Sequence, residues 1–186
     1  MAAKGWFKIK GVRDGDRTLD EQMTGLASAL SEASGKTILD LGCAEGCISL
    51  EFAKAGAKRV VGIELLETHL LVAKMVCKDY PQIEFIHSHL DDYVLNLTSF
   101  PRYDIVLALS VIHKLKDPAI PLRFAAQSAK SLLVFRPPAR LYKGMVRSKH
   151  SKSSVDVAAV MREEGFALEQ TIQGVRGESA QYWRRK

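Results

Sequence analysis

Short apolar runs alternate with mixed polar and apolar stretches along most of this 186-residue chain. The run KTILDL predicts a short buried strand, and the stretch EGCISLEFAKAG after it predicts a helix that ends at Gly56. The nearly continuous apolar run DIVLALSVI is typical of a strand buried on both faces. Strands that alternate with helices of this length predict right-handed crossovers and a parallel sheet.

The alternation continues to the end of the chain. Further strands are predicted at AKRVVGIE, IEFIHSHL, YDIVLALSV and SLLVF. Further helices are predicted at THLLVAKMVCKDYP, stopped by Pro81, at DDYVLNLTSF as a short helix or turn, at DPAIPLRFAAQSAK, and at SSVDVAAVMREEG, opened by a serine cap. The last segments, FALEQTIQGV and SAQYWRRK, predict a closing hairpin. The N-terminal segment, Met1 to Ser34, contains one predicted amphipathic helix, TLDEQMTGLASALSEA.

Composition places the chain among ordinary globular domains, with 47% apolar and 26% charged residues. No apolar run is long enough to span a bilayer or to form the core of a signal peptide, so we expect a cytoplasmic protein without a membrane partner. The three cysteines suggest reduced thiols, and no second ligand pair follows Cys43 and Cys47, so we expect no metal site.

The formal net charge of +6 permits an anionic partner. Much of the positive charge lies in one run, RPPARLYKGMVRSKHSK, which extends from Arg136 to Lys152 and contains no acid.

A glycine turn follows the first predicted buried strand, in the order Asp40-Leu41-Gly42-Cys43-Ala44-Glu45-Gly46. The dinucleotide fingerprint G-x-G-x-x-G would require glycine at positions 42, 44 and 47, and only the first is glycine. A Walker A loop is excluded because no Gly-Lys-Ser/Thr follows. In an open parallel sheet this turn lies at the carboxyl end of a strand, where ligands bind.

The turn resembles motif I of the class I S-adenosylmethionine (SAM)-dependent methyltransferases, and the resemblance extends from about Lys36 to the C-terminus. The run VVGIE ends in Glu64, at the position of that family's ribose-binding acid, and YDIVLALSVIHKLKDP is similar to the segment after its fourth strand. The resemblance implies a Rossmann-like α/β fold. Its sheet would be mostly parallel and seven-stranded, with a C-terminal antiparallel hairpin and helices on both faces. It also implies a single methyltransferase domain at 36–186 with an N-terminal lid segment at 1–35.

The implied cofactor is SAM, with S-adenosylhomocysteine (SAH) as the product. By the resemblance, bare backbone at Gly42 and Gly46 admits the amino-acid tail, Asp40 orients it, Glu64 accepts both ribose hydroxyls, and Leu65 covers the adenine. The full set of implied cofactor-binding residues is Asp40, Gly42, Cys43, Ala44, Gly46, Glu64, Leu65, His89, Leu90, Asp91, Ala108 and Leu109.

Two positions depart from the family pattern. The middle glycine of motif I is Ala44, which we expect to be tolerated through a negative φ. The acid that often accepts from the adenine amino group is replaced by His89; Asp91, Asp92 or the Leu90 backbone could take its role, and His89 could equally be a surface histidine.

His113 is the candidate general base, because it follows the fourth strand and its ordinary pKa suits proton transfer. It could instead cap or pack at the start of a helix. The segment ALSV excludes the Asn/Asp-Pro-Pro-aromatic methylases, and neither the nucleophilic cysteine of cytosine-C5 enzymes nor the paired-glutamate loop of arginine methylases is present.

Two acceptor classes remain. A small-molecule O, N or C nucleophile is favoured by the segment LSVIHKLKDP, and an RNA by the basic 136–152 loop. Candidate substrate-binding residues are Arg136, Arg140, Lys143 and Trp6; Trp6 could stack on a base or close the pocket. A binding module without turnover is the third interpretation, and the oligomeric state stays open.

Overall fold

The computed structural model describes residues 5–139 and 144–186. Its first part contains β1 (Gly5–Phe7), β2 (Gly15–Arg17), α1 (Leu19–Met23), α2 (Ala27–Ser31), β3 (Thr37–Leu41), α3 (Cys47–Lys54), β4 (Arg59–Glu64), α4 (Glu67–Val76) and β5 (Ile83–His87). The rest contains α5 (Leu90–Leu95), β6 (Tyr103–Leu109), α6 (Ala119–Ser128), β7 (Ala129–Arg136), β8 (Met145–Arg147), β9 (Ser154–Asp156), α7 (Val157–Glu163), β10 (Phe166–Gln173) and β11 (Ser179–Arg185).

Seven of these strands form one sheet in the order β10-β11-β7-β6-β3-β4-β5. Strands β3 to β7 are parallel to one another, whereas β11 is antiparallel to both β7 and β10. The α/β prediction with its closing antiparallel hairpin is therefore confirmed. The chain runs outward from β3 to β5 and then returns to β6, so the strand order reverses between β3 and β6, and a ligand crevice is expected at their carboxyl ends.

Alternate residues of each central strand enter two separate cores, because successive side chains of a strand point to opposite faces. On one face Leu39 and Val106 join a core with α6 and α7. On the other face Ile38 and Ile105 join a core with α2 and α3. Burial on both faces explains why these strands are apolar at nearly every position.

The N-terminal segment differs from the prediction of one amphipathic helix. It contains two short helices, α1 and α2, separated at Gly25, whose φ is +82°. Helix α1 begins with a capping box, in which Thr18 and Glu21 satisfy each other's backbone N–H groups. A glycine in this left-handed region ends a helix, so the single predicted helix is divided into two.

Smaller differences concern helix ends and the basic run. Helix α4 ends at Val76, before Pro81, and α7 begins at Val157 with Asp156, not a serine, accepting from the Ala159 backbone N–H. The predicted serine cap was therefore wrong. Strand β8 lies within the basic run and pairs in antiparallel fashion with β9, which follows the run. The sequence pattern does not predict this pair.

Within residues 5–139 and 144–186, no helix combines the length and the apolar character that crossing a bilayer requires.

Candidate cofactor and substrate site

The glycine turn after β3 depends on glycine for steric reasons. Gly42 and Gly46 both have a φ of +72°. A Cβ on Gly42 would lie 2.8 Å from Val111 Cγ2, and one on Gly46 would lie 2.9 Å from Phe85 Cζ. Because both the backbone conformation and the surrounding space exclude a side chain, the turn brings bare backbone to the carboxyl end of the sheet.

Ala44, between the two glycines, has a φ of +49°, so the expectation of a negative φ was wrong. This is the left-handed region, which costs an L-residue roughly 1–2 kcal/mol. Its backbone N–H donates to Glu64 Oε2 at 3.0 Å. That hydrogen bond helps hold the turn in a conformation that alanine alone would not favour.

Glu64 ends β4 beside the turn and is only 9% exposed. Besides the bond from Ala44, its carboxylate accepts from the Leu66 N–H at 2.9 Å, and His69 Nδ1 lies 3.7 Å away. Burial alone would raise the pKa of Glu64, but the surrounding donors hold it below the ordinary value. The carboxylate is therefore ionised and fixed at the pocket wall, with acceptor capacity left, since two oxygens offer about four lone pairs.

Asp40 lies deeper, at the end of β3, and does not line the pocket. It is 2% exposed and accepts a 2.7 Å hydrogen bond from Ser49 Oγ. Burial raises the pKa of Asp40 to about 6. In this structure the side chain fixes the start of α3, behind the turn.

Glu45 was not among the predicted site residues, although it is fully buried. Its carboxylate accepts from the backbone N–H groups of Trp6 at 3.0 Å and Phe7 at 3.1 Å. Arg13 Nε and His69 Nε2 each lie 3.5 Å from it. An acid inside the motif thus fastens β1 to the turn and brings the Trp6 ring to the pocket.

The pocket opens between the turn, β4 and β6 and has a volume of about 220 Å³. Eight predicted cofactor or substrate residues line it: Trp6, Gly42, Ala44, Glu64, Leu65, His89, Leu90 and Leu109. The predicted residues that do not line it are Asp40, Cys43, Gly46, Asp91, Ala108, His113 and Arg136. His89 caps α5, with its Nδ1 accepting from the Asp91 backbone N–H at 3.2 Å. Of these two residues, only His89 lines the pocket.

The structure does not bring His113, the candidate general base, to the pocket. The residue belongs to a 3₁₀ turn, Ile112–Lys114, is 3% exposed, and shares a closed crevice with Phe135 and Val146. Burial, together with the nearby Lys149, lowers the pKa of His113 to about 4. The neutral ring packs in the interior, which was the alternative interpretation of this histidine.

Arg136, a candidate substrate residue, is also absent from the pocket lining, and it is only 1% exposed. Its guanidinium donates to the Gln22 carbonyl at 2.7 Å and to Gln22 Oε1 at 2.9 Å, and its Nε lies 3.9 Å from Glu178 Oε2. Arg136 therefore ties β7 to the N-terminal segment. The other two candidates, Arg140 and Lys143, lie outside the described residues.

Several polar residues at the pocket were missed. Lys114 follows His113, and its ammonium lies 4.6 Å from the centroid of the Trp6 ring, a cation–π distance. Ser110 lines the pocket with a φ of +55°, an uncommon conformation that no sequence pattern signals. The sequence carried no signal for Lys114, because only the 3₁₀ turn Ile112–Lys114 places it at the pocket and its neighbour in the core.

Comparison with known proteins gives one family match. A family model described as a methyltransferase domain matches residues 38–132, about half of the chain. The matched region contains the glycine turn, Glu64 and the segment that follows β6.

Two similar proteins carry the same name. A ubiquinone biosynthesis O-methyltransferase from Leptothrix cholodnii is 27% identical over 130 residues, covering 70% of this chain and 55% of that protein. Another of the same name, from Hydrogenovibrio crunogenus, is 34% identical over 96 residues, covering 51% of this chain and 39% of that protein. The chain thus spans about half or less of these relatives' length.

Solved structures share the fold. A magnesium protoporphyrin IX methyltransferase from Synechocystis with bound SAM has a TM-score of 0.68 and 19% identity, covering 90% of this chain and 80% of that chain. A SAM-dependent methyltransferase from Mesorhizobium loti has a TM-score of 0.67 and 17% identity, covering 89% of this chain and all of that chain. At these identities the similarity is one of fold.

Proposed function

The chain belongs to the methyltransferase-domain family, and on that premise we propose that it transfers the methyl group of SAM to an O, N or C nucleophile of a small molecule. The observation that carries the proposal is the pairing of the glycine turn with Glu64 on one pocket wall. Backbone without side chains and a fixed carboxylate at the carboxyl ends of β3 and β4 match a ligand with an amino-acid tail and a ribose diol.

The proposed cofactor-binding site is formed by residues near the strand-order reversal. Glu64 would accept the ribose hydroxyls, Gly42 would admit the amino-acid tail, and Leu65 with Leu90 would enclose the adenine. The site fits this ligand better than a dinucleotide, because the glycine spacing provides no pyrophosphate turn. When bound, SAM supplies an electrophilic methyl group on a sulfonium.

The transfer requires mainly alignment and exclusion of water. A nucleophilic electron pair of the acceptor would bond to the methyl carbon as the carbon–sulfur bond breaks; the bonding electrons would pass to sulfur, and the acceptor's proton would be lost to solvent. Trp6 and Val111 would exclude water from the reacting atoms. Because His113 lies in the interior, no proton transfer is assigned to it.

The small-molecule acceptor is supported by the names of the similar proteins, which refer to ubiquinone biosynthesis and to magnesium protoporphyrin IX. RNA is the second candidate, and the observation that favours it is the exposed positive charge at Arg147, Lys149 and Lys152.

We further infer that residues 1–35 act as a lid on a methyltransferase domain at 36–186, since Glu45 holds β1 against the turn. A cytoplasmic location is proposed because Cys43, Cys47 and Cys77 are all free thiols.

The proposal is tested by calorimetric titration of SAM and SAH, followed by transfer of labelled methyl from SAM to metabolite and RNA extracts. We expect SAH to bind, NADH not to bind, and label to enter the metabolite fraction. The Glu67→Ala variant, which alters an exposed acid three residues beyond Glu64, is the matched control for Glu64→Ala. Absence of SAH binding to the unaltered protein would exclude the proposed function.

A further inference from the structure

A second recess opens beside the cofactor pocket and shares Leu65, His89 and Lys114 with it. Its remaining lining is entirely basic: Lys116, Lys149 and His150. We call the recess formed by Lys114, Lys116, Lys149 and His150 the basic recess. Because the two cavities share a wall, a molecule in the basic recess would extend directly into the cofactor pocket.

Two separate segments form the basic recess, and hydrogen bonds hold them together. Ser148 Oγ donates to the Leu115 carbonyl at 2.6 Å, and Ser151 Oγ donates to the Lys116 carbonyl at 2.5 Å. The Lys149 backbone N–H donates to the His113 carbonyl at 2.8 Å. The loop that carries Lys149 and His150 is therefore fixed against the segment that carries Lys114 and Lys116.

The positive charge of the basic recess is not neutralised by an ion pair. Within residues 5–139 and 144–186, none of Lys114, Lys116, Lys149 and His150 forms a salt bridge. Two acids lie near these lysines: the Asp91 carboxylate is 3.5 Å from the Lys116 backbone nitrogen, and Glu64, on the wall of the cofactor pocket, attracts the Lys114 ammonium. Burial lowers the pKa of Lys114; the nearby Glu64 carboxylate opposes that shift, and the positive charge of Lys149 adds to it.

We propose that the basic recess binds an anionic group, a phosphate or a carboxylate, of the methyl acceptor and so positions the acceptor's nucleophile in the cofactor pocket. The inference rests on the proposed function and adds a substrate class to it. Several cations converging on one recess, with Leu65 as an apolar wall, suit a single compact anionic group. An RNA backbone would instead be bound by charge extended along a groove, which would include Lys152.

Pyrophosphate and citrate serve as probes, titrated calorimetrically into the protein saturated with SAH. One represents phosphate groups and the other represents carboxylates, so their relative affinities identify the anionic group. The test variant is Lys116→Gln/Lys149→Gln. The control variant, Lys152→Gln/Lys74→Gln, removes the same charge from exposed lysines outside the basic recess.

We expect the better probe to bind the test variant about tenfold or more weakly, and the control variant within about twofold of the unaltered protein. SAH affinity is expected to be unchanged in both variants. If SAH binds but neither probe does, or if both variants lose probe affinity equally, the basic recess is not the anion site. Failure of SAH itself to bind would refute the proposed function instead. Filter binding of a single-stranded RNA that depends equally on Lys152 and Lys149 would overturn the proposal in favour of a polyanion surface.

Discussion

The pocket has an acidic wall and a basic wall, and the two are built in opposite ways. On the acidic wall Glu64 is buried, as is Glu45, which does not itself line the pocket, and each carboxylate accepts two backbone hydrogen bonds. On the basic wall Lys116 and Lys149 are exposed and, in the described part of the chain, form no salt bridge. The fold itself holds the acidic wall in position, whereas the basic wall carries charge that no salt bridge neutralises in the described part of the chain.

Burial explains the difference. A carboxylate taken out of water must be hydrogen-bonded, or it becomes protonated, so the buried acids are tied to the turn and to β1. Exposed ammonium groups remain hydrated and require no partner in the fold. A carboxylate held in one position suits a ligand whose hydroxyl groups must be bound in a defined geometry. Hydrated ammonium groups suit a ligand that is attracted mainly by its negative charge. We therefore assign the cofactor to the first and the acceptor's anionic group to the second.

The largest expected effect concerns Arg136, a member of the basic run that is buried like the acids. The Arg136→Gln variant should lower the free energy of unfolding by about 3 kcal/mol or more, because two buried charge-assisted hydrogen bonds to Gln22 are lost, each worth about 1.5–3 kcal/mol; Glu178 keeps its ion pair with Arg17. Urea denaturation measures the change. The control, Arg147→Gln, removes an exposed charge and should cost less than about 0.5 kcal/mol. Equal losses of unfolding free energy in the two variants would show that the buried contacts of Arg136 contribute no more to stability than the exposed charge of Arg147.

His113 is expected to give a pH-dependent stability. Its ordinary pKa of 6.5 falls to about 4 in the fold, so between these values the unfolded chain binds more protons. The free energy of unfolding therefore rises from pH 4 to pH 6.5, by up to about 3 kcal/mol relative to His113→Gln. Asp40, whose pKa burial raises from 3.8 to about 6, has the opposite slope in both proteins and cancels in the difference.

Urea unfolding of both proteins at about pH 5 and about pH 7 measures that difference. A gap between the proteins that does not change with pH would show that the ring is accessible to protons, as a pocket base would be.

Glu45 is expected to control the position of Trp6. The Glu45→Gln variant replaces one acceptor oxygen by a donor that faces a backbone N–H, which costs about 1–3 kcal/mol. We expect faster proteolysis near the N-terminus and a shift of Trp6 fluorescence towards that of an exposed indole, measured with Trp183 replaced by Phe. The control is Glu51→Gln, which loses only a contact with Lys54. An unchanged spectrum would show that β1 is held by other contacts.

The smallest expected effect concerns Ala44. Because its φ is +49°, Ala44→Gly relieves strain in the fold but adds freedom to the unfolded chain. We expect a change within about 1 kcal/mol, towards greater stability. Gly46→Ala, by contrast, should be clearly destabilising, because its Cβ would lie 2.9 Å from Phe85 Cζ. Thermal denaturation compares the two, and a clear loss in Ala44→Gly would contradict this account of the turn.

The fold was predictable because its signals are local and repeated. Central strands such as Tyr103–Leu109 are apolar along their whole length, and the glycines of the turn follow β3 at once. The position of Glu64 could be predicted for the same reason, since it directly ends β4.

The orientation of single side chains was not predictable. His113 and Lys114 are neighbours, yet a 3₁₀ turn sends one to the interior and the other to the pocket. Arg136 lies in an apparently exposed basic run, but its partners are Gln22 and Glu178, far away in the chain. Such long-range contacts leave no periodic trace in the sequence.

The division of the pocket into two walls is tested most directly by calorimetric titration of SAH into Glu64→Gln and into Lys116→Gln/Lys149→Gln. Glu64 would lose its ionised acceptor for the ribose hydroxyls, so we predict a loss of about 100-fold in SAH affinity for the first variant. The lysine variant should bind SAH within about twofold of the unaltered protein. Equal losses in the two variants, or unchanged binding to Glu64→Gln, would contradict the account.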